Sequence, residues 1–290
     1  MSNNNNTKTV FIAGATGYLG RYLVAEYVER GWNVIALARK PHGAPNATRL
    51  CVAQATEPES IANSMEGVDL VISSLGITRQ RDGMTYRQVD YQANINLLRE
   101  AERAGVQRFA YIHVLGAENL SHLPPIAAKQ DFVNELRASG IESTVIKPSG
   151  FFSDMCDFLD MARHGCIYLF GNGNHRINPI HGQDLAKATA EAIQSDQDTL
   201  EVGGPDVFTH EQLAELAFEC LDKPAKITHL WDGFRTLAIA ILPWTTPSYV
   251  YEPARFFLTA MDMDTVGECH GTHHLRDYFR ETLKQKSSES

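Results

Sequence analysis

The sequence predicts an α/β fold, a doubly wound parallel sheet with a smaller, mostly helical C-terminal lobe. Three observations carry that reading. Apolar, β-branched runs alternate with helix-spaced segments from Thr9 to Lys147. The runs lack polar alternation, as strands covered on both faces do. After Pro148 the alternation breaks, which divides the chain into a polar tail over 1–8, a core over 9–150 and a lobe over 151–286, some of whose elements return to the main sheet.

Thr9–Ala13 (TVFIA) is a β-branched strand ending in glycine, and Leu19–Arg30 follows with helical spacing of its apolar side chains. Gly31 closes that helix and Asn33–Ala38 (NVIALA) is the second strand. The alternation continues with strand Arg49–Ala53, helix Pro58–Met65, strand Asp69–Ser73, helix Val89–Ala104, strand Arg108–His113, helix Ala127–Ser139 and strand Ser143–Lys147. Strands and helices in strict alternation imply right-handed crossovers between parallel strands. Further on, Ile167–Phe170 and Arg176–Ile180 around Gly171–Gly173 predict a hairpin. Helix Gln183–Gln194, strand Thr199–Val202 and helix His210–Leu221 follow. Ile227–Lys284 reads as mostly helical, Leu237–Leu242 as a core helix, and the tail QKSSES as frayed.

Composition narrows the function. With 43% hydrophobic and 21% charged residues, the 290-residue chain is globular rather than disordered. The 26 basic residues against 35 acidic ones give a net charge of −9, which repels nucleic-acid phosphates and acidic membranes, so no nucleic-acid partner is expected. No apolar run approaches the ~18 residues of a membrane span. MSNNNNTKT has no apolar region of secretory type, and five cysteines without a CxxC suit reduced thiols, so a cytoplasmic location is expected.

Between the first strand and helix lies Gly14-Ala15-Thr16-Gly17-Tyr18-Leu19-Gly20, a GxxGxxG pattern. Gly14 permits the turn out of the strand, Gly17 lets the backbone approach a pyrophosphate, and Gly20 allows close helix packing. The helix N-terminus adds amide donors. The competing reading is a purely structural turn. The second strand ends in Arg39 and Lys40 with no acid from Asn33 onward, which favours a 2′-phosphate and so NADP(H) over NAD(H); alternatively both are surface cations.

GATGYLG, VDLVISSLG, VDYQANINLLREA, AKQDFVNELRASGIESTVIKPSGFF and NPIHGQDLAKA together resemble the extended and atypical short-chain dehydrogenase/reductases over Thr9–Pro205. IYLFGNGNHRINPIHGQDLA, LEVGGPDVFTHEQLAELAF and GTHHLRDYF are similar to the subgroup of NmrA-like proteins and divinyl chlorophyllide 8-vinyl reductases, which extends the likeness almost to the C-terminus. The resemblance implies a Rossmann-type cofactor site in which Gly14, Thr16, Gly17, Tyr18 and Leu19 face the pyrophosphate and Arg39 and Lys40 the adenosine phosphate. Ser74, Leu75 and Gly76 would face the adenosine side, and Pro148, Ser149, Gly150 and Phe151 the nicotinamide. Gln54 and Ala55 stand where many relatives carry an Asp and a small apolar residue toward adenine.

Catalysis departs further from the family. Its members pair a Tyr with a Lys four residues later; Lys129 matches the lysine, as a candidate for the nicotinamide ribose, but Pro125 occupies the tyrosine position. His113 replaces the family's Ser, either as a hydrogen-bonding or acid group toward substrate or as a satisfied structural histidine. Tyr86 is the one substitute phenol nominated. Phe151 and Phe152 are candidates to line an apolar pocket. Asp184 is expected to cap its helix. Cys269-His270-Gly271-Thr272-His273-His274 is read as the start of the last helix rather than a metal site, and no metal is expected. Two functions stay open. One is an NADP(H)-dependent oxidoreductase acting on a carbonyl or activated alkene of a small molecule. The other is a non-catalytic NADP(H)-binding sensor or assembly protein.

Overall fold

A computed structural model describes residues 7–41, 46–77 and 83–288. Of the tail expected over 1–8, all but Thr7 and Lys8 lie outside the described residues, as do the last two residues of QKSSES. The chain forms two compact units.

The first unit takes the chain through His113, then Ala117–Lys147 and Ala186–Leu200. It begins with β1 (Thr9–Ala13), α1 (Tyr18–Glu29), β2 (Asn33–Ala38), β3 (Arg49–Val52) and β4 (Leu70–Ser73). It continues with α2 (Asn94–Ala104), β5 (Arg108–Ile112), α3 (Pro124–Ala138) and β6 (Glu142–Pro148). The strands lie side by side in the order β3-β2-β1-β4-β5-β6, and every pairing among them is parallel. This is the Rossmann order, with the chain winding outward from β1 in both directions. Both faces are covered. Phe11, Val71, Phe109, Tyr111 and Val145 join Leu97, Leu98, Phe132 and Leu136 of α2 and α3 in one core, and their neighbours Val10, Ile12, Val34, Ile72 and Ala110 are equally buried. That explains why the strands carry no polar alternation.

Local signals set the helix ends. Helix α3 starts at Pro124, earlier than the expected Ala127, because Pro124 and Pro125 fit the first helical turn. The expected helix Pro58–Met65 closes as a single 3-10 turn, Pro58–Ile61, since Asn63 adopts φ 59° and cannot continue it. Ahead of α2, Arg87–Ala93 forms a wide π-type turn. The Asn94 amide explains it, donating at 3.2 and 3.0 Å to the Val89 and Asp90 carbonyls.

The second unit is built from α4 (Phe152–Arg163), β7 (Ile167–Phe170), β8 (Arg176–Ile177), the start of α5 (Gly182–Gln194) and most of β9 (Thr199–Gly203). It is completed by β10 (Phe208–Thr209), α6 (His210–Cys220), β11 (Ile227–Leu230), α7 (Asp232–Thr245), α8 (Ser248–Ala260), β12 (Glu268–Cys269) and α9 (Leu275–Ser288). Its own core joins Phe152, Phe158, Leu159, Leu213, Phe218, Leu275 and Phe279 of α4, α6 and α9. β9 pairs in parallel with β12. The expected hairpin of residues 167–180 does not form. β7 pairs in parallel with β11, and β8 antiparallel with β10, so each strand finds its partner far along the chain. Helix α7 is not a core helix, for none of its residues is buried.

Asp184 stands in the first turn of α5, as its place in the sequence suggests. Its carboxylate accepts the Thr272 and His273 amides at 3.1 and 3.0 Å and pairs with His273 Nδ1 at 2.9 Å. This clamps the turn that precedes α9, which therefore starts at Leu275 rather than at Gly271. A Cβ on Gly271 would fall 2.2 Å from the Asp184 carboxyl carbon. Replacing Asp184 by Ala should lower the unfolding free energy by roughly 2–3 kcal/mol, the scale of a buried carboxylate holding backbone amides; Asp184→Asn should cost less. Urea unfolding of the three proteins checks the order.

Candidate functional site

Parallel register brings the candidate residues of the first unit to one edge. Ile12 pairs with Ala36, Ala13 with Ser73, Ser73 with Tyr111, and Ile112 with Ile146. The glycine turn after β1, Arg39 and Lys40 after β2, Ser74–Gly76 after β4 and His113 after β5 thus all leave the sheet at its C-terminal side. In doubly wound sheets that is the side where ligands bind.

Each glycine of the turn answers to a different constraint. Gly14 has φ +81°, and a Cβ there would meet Ser74 Oγ at 2.6 Å. At Gly20 a Cβ would lie 2.0 Å from the Gly14 carbonyl oxygen, so α1 can seat on the turn only without a side chain. Gly17 is exposed and its Cβ would have a single neighbour, the Gly14 oxygen at 3.2 Å, leaving open space above it. No side chain caps α1 and its first turn holds no acid. An unobstructed backbone at a helix N-terminus fits a pyrophosphate. Thr16 is exposed beside it, Tyr18 is half-buried and Leu19 is buried beneath.

Around the turn, Arg39 and Lys40 are exposed. The Gln54 side chain is engaged by Glu57 at 3.0 Å, and the Ala55 carbonyl accepts Asn96 Nδ2 at 2.9 Å. Ser74 Oγ donates to the Ala13 carbonyl at 3.0 Å, and Ser73 Oγ accepts the Leu75 amide at 3.3 Å.

The wide turn before α2 delivers a residue not foreseen from the sequence. Asp90 is fully buried, accepts the Ile77 amide at 3.2 Å and lies 3.1 Å from Lys129 Nζ. Lys129, with its side chain 14% exposed, also donates to Tyr111 Oη at 3.4 Å. A Cβ on Gly76 would fall 2.8 Å from Lys129 Nζ and 2.9 Å from Asp90 Oδ1, so Gly76 is the space in which the ion pair sits. Burial raises the Asp90 carboxyl against the pull of Lys129. Burial also works to neutralise Lys129, but the Tyr111 oxygen and Asp90 outweigh it and hold the ammonium above its ordinary range. Tyr111 itself, fully buried, is pushed up to about 12. The signal available in VDYQANINLL was polar residues, Asp90 and Asn94, one helical turn apart on a face otherwise carrying Ala93 and Leu97.

His113 is buried beside this cluster. Its Nε2 faces Gln130 Oε1 at 3.1 Å, and since Gln130 Nε2 donates to Asn134, the histidine proton sits on Nε2. Nδ1 is then an acceptor, buried without a hydrogen-bond partner among the described residues. Burial lowers the imidazole to about 4, so it is neutral at pH 7. Tyr86 is buried where the wide turn begins.

In the second unit Ser149 donates to the Asn178 carbonyl, and Phe151 and Ile180 form a bridge through the Ile180 N–H and the Gly150 carbonyl at 2.8 Å. Phe152 packs against His181 and Tyr278. His181 stacks on His273 at 4.3 Å. His274 Nδ1 pairs with Asp206 at 2.7 Å. No group of three metal-ligating side chains occurs among the described residues.

A recess of about 670 Å³ in the first unit, lined by Lys8, Trp32, Asp69 and Arg108 among others, opens where the strands begin, opposite the glycine turn. Its cations are engaged: Arg30 with Glu26, Arg108 with Glu142 and Asp196, Lys8 over the Trp32 ring. The candidate residues lie at the other edge.

The neutral His113 yields a test. Its folded value lies below its ordinary one, so the unfolded chain takes up a proton first. Stability therefore falls as pH drops from about 6.5 to about 4. His113→Gln should remove up to about 3 kcal/mol of that loss, read as a flatter dependence of urea-unfolding free energy on pH over the same window.

A family model described as NAD(P)H-binding matches residues 14–196, more than half of the chain. The divinyl chlorophyllide a 8-vinyl-reductase of Arabidopsis thaliana is 28% identical over 75% of this chain and 58% of its own length. The photosystem II assembly factor Ycf39 of Synechocystis is 26% identical over 64% of this chain and 59% of its own length. The chain thus spans somewhat under two thirds of these curated relatives. An NADPH-dependent quinone oxidoreductase of Escherichia coli, solved with NADPH, superposes with a TM-score of 0.74 at 20% identity, covering 94% of this chain and 99% of that one, a likeness of fold.

Proposed function

The chain belongs to the NAD(P)H-binding family, and from that premise we propose that it is an NADP(H)-dependent oxidoreductase of the atypical short-chain type. Its substrate is a small molecule carrying a carbonyl or activated alkene. The observation that carries the reading is the convergence at one sheet edge of an uncapped helix N-terminus over an open Gly17, the exposed pair Arg39 and Lys40, and the buried Lys129 behind Gly76. NADP(H), when bound, supplies or accepts the hydride. Gly14, Thr16, Gly17, Tyr18 and Leu19 hold its pyrophosphate, and Arg39 and Lys40 its 2′-phosphate. Gln54, Ala55, Ser74, Leu75 and Gly76 border the adenosine half. Five free thiols, at Cys51, Cys156, Cys166, Cys220 and Cys269, support a reducing, cytoplasmic setting.

Lys129 has three ammonium donors, of which Asp90 and Tyr111 account for two, and on this reading it orients the nicotinamide ribose with the third. Proton delivery is the sparse part of the site. Tyr111 is too basic and too enclosed to give its proton to a substrate. His113, with Nδ1 bare, accepts a hydrogen bond rather than donating one. A hydride acceptor that draws its proton from water suits these groups, which favours an activated alkene over alcohol oxidation. The same scarcity, with Pro125 in place of the family's tyrosine, supports the second reading, a non-catalytic NADP(H)-dependent sensor or assembly protein such as the name of the Synechocystis relative describes.

Two measurements test the cofactor. NADPH should bind at least about tenfold more tightly than NADH by calorimetry, and Arg39→Ala/Lys40→Ala should erase the difference. Equal affinities in the unaltered protein would refute the 2′-phosphate assignment. Gly17→Val should abolish binding while its circular dichroism and unfolding midpoint stay near those of the parent, because beyond one 3.2 Å contact with the Gly14 oxygen the added side chain fills the space left for the pyrophosphate. Turnover of nicotinamide with a conjugated alkene or quinone decides between the two readings. Given an active substrate, Lys129→Ala should lower both cofactor affinity and kcat, and His113→Ala should act mainly on KM.

A further inference from the structure

The hairpin of α7 and α8 carries an apolar stripe left exposed among the described residues. Phe234, Leu237, Ile241 and Trp244 follow one another at intervals of three, four and three residues, so they share one face of α7, and all four are exposed. Trp231 leads into the same helix 76% exposed, and Trp244 near its end is 89% exposed. The Trp231 ring lies edge-to-face with Phe234 and over the backbone of Gly233, where a Cβ would come within 2.3 Å of it. From Thr236 to Tyr251 the sequence has no charged residue. The charges of α7 lie in its first turn, where Arg235 is engaged by Asp262 and Asp232. Helix α8 is anchored below by Phe257, packed with Met261 against the core of the second unit. The hairpin is therefore a supported arm with a charge-free apolar outer face.

We infer that this face docks on the interfacial layer of a lipid bilayer, held by apolar insertion rather than by charge. Two arguments select a bilayer over a protein. The first is area. The 14 residues of α7 span about 21 Å and present a strip about 10 Å wide, a footprint of roughly 200 Å². A stable protein interface needs about 800 Å² from each partner, so a second copy or another protein seated on this stripe alone gains too little area. A bilayer sets no such minimum, because each Trp, Phe, Leu or Ile side chain entering it contributes by itself. The second argument is charge. A face without ionic groups has nothing to pair with a charged partner, and the chain's net charge of −9 opposes approach to anionic lipid. Tryptophans at both ends of the helix suit the boundary between headgroups and acyl chains. No helix among the described residues is long and apolar enough to cross the membrane, so the association is peripheral.

The test uses the full chain and vesicles of phosphatidylcholine, with and without phosphatidylglycerol. The unaltered protein should sediment with phosphatidylcholine vesicles equally at low and high salt. Its tryptophan emission should shift to the blue and be quenched by brominated phosphatidylcholine. Leu237→Glu/Ile241→Glu should weaken partitioning about tenfold or more while NADPH affinity stays unchanged. The quenching is read on the unaltered chain, so the inference stays testable even if the double variant folds poorly. Absence of binding to phosphatidylcholine would overturn it. So would binding confined to anionic vesicles and released by salt. A dimer in sedimentation velocity that the double substitution dissolves would instead make the stripe a protein interface and equally overturn it.

Discussion

The fold of the first unit depends on the close approach of α1 to the turn that precedes it. With the Gly20 Cα so near the Gly14 carbonyl that a Cβ would stand 2.0 Å away, the helix is pinned over the end of β1. The same turn requires Gly14 at positive φ against Ser74, which ties it to the end of β4. β1 has β2 on one side and β4 on the other, so fixing its end fixes where the neighbouring loops emerge. Arg39, Lys40 and Ser74–Gly76 are positioned by strands, with the glycine contacts setting their common origin. The open space at Gly17 is a consequence: two glycines are consumed by packing, and the middle one is left facing outward.

A second layer of organisation lies behind that edge. Asn94 holds the carbonyls of Val89 and Asp90, the turn before α2 widens, and Asp90 is carried inward to Lys129. π-type turns recur at functional sites because they displace a side chain that a regular helix would place elsewhere. Removing one member of so buried a pair leaves the other charge without compensation, a cost of about 3–5 kcal/mol. Gly76 belongs to the same design, for any side chain there would part the two charges. Lys129 is accordingly a structural ion, and its structural partners restrict how it can meet a ligand.

Legibility in the sequence followed the range of the interactions. β1 and β2 were delimited by their own residues, and the glycine turn by its spacing, because each depends on contacts within a few residues. Asn63 at positive φ and the widening before α2 were not legible: neither follows from apolar periodicity, which is blind to a single left-handed residue or one inserted position. In the second unit the failure was of pairing. Ile167–Phe170 and Arg176–Ile177 read as neighbours across a glycine turn, yet their partners are Ile227–Leu230 and Phe208–Thr209. Leu237–Leu242 failed for another reason: hydropathy reports that a segment prefers to leave water, and carries no information on whether protein or something else receives it. At the site, Lys129 and His113 were visible as residues standing in a recognised pattern, whereas Tyr111 and Asp90 were hidden as a strand residue and a helix residue.

The balance of proton donors and acceptors links this geometry to chemistry. A positioned general acid contributes typically about 10²–10⁴-fold to a hydride transfer that must protonate oxygen. On the proposed reading neither group beside Lys129 makes that contribution, since the Tyr111 phenol is sealed by its packing against Phe132 and Lys129, and His113 presents a lone pair. The acceptor must then supply the stabilisation itself, by spreading the charge that arrives with the hydride. Conjugated alkenes and quinones do so through their own π-system and can be protonated afterwards by water; isolated ketones do not. An acceptor hydrogen-bonded to His113 Nδ1 must in addition carry a donor, such as a hydroxyl, in reach of it. On the proposed reading, electron-poor, conjugated molecules with a hydroxyl or amide nearby suit the site, and this follows from which protons the fold has already committed to its own interior.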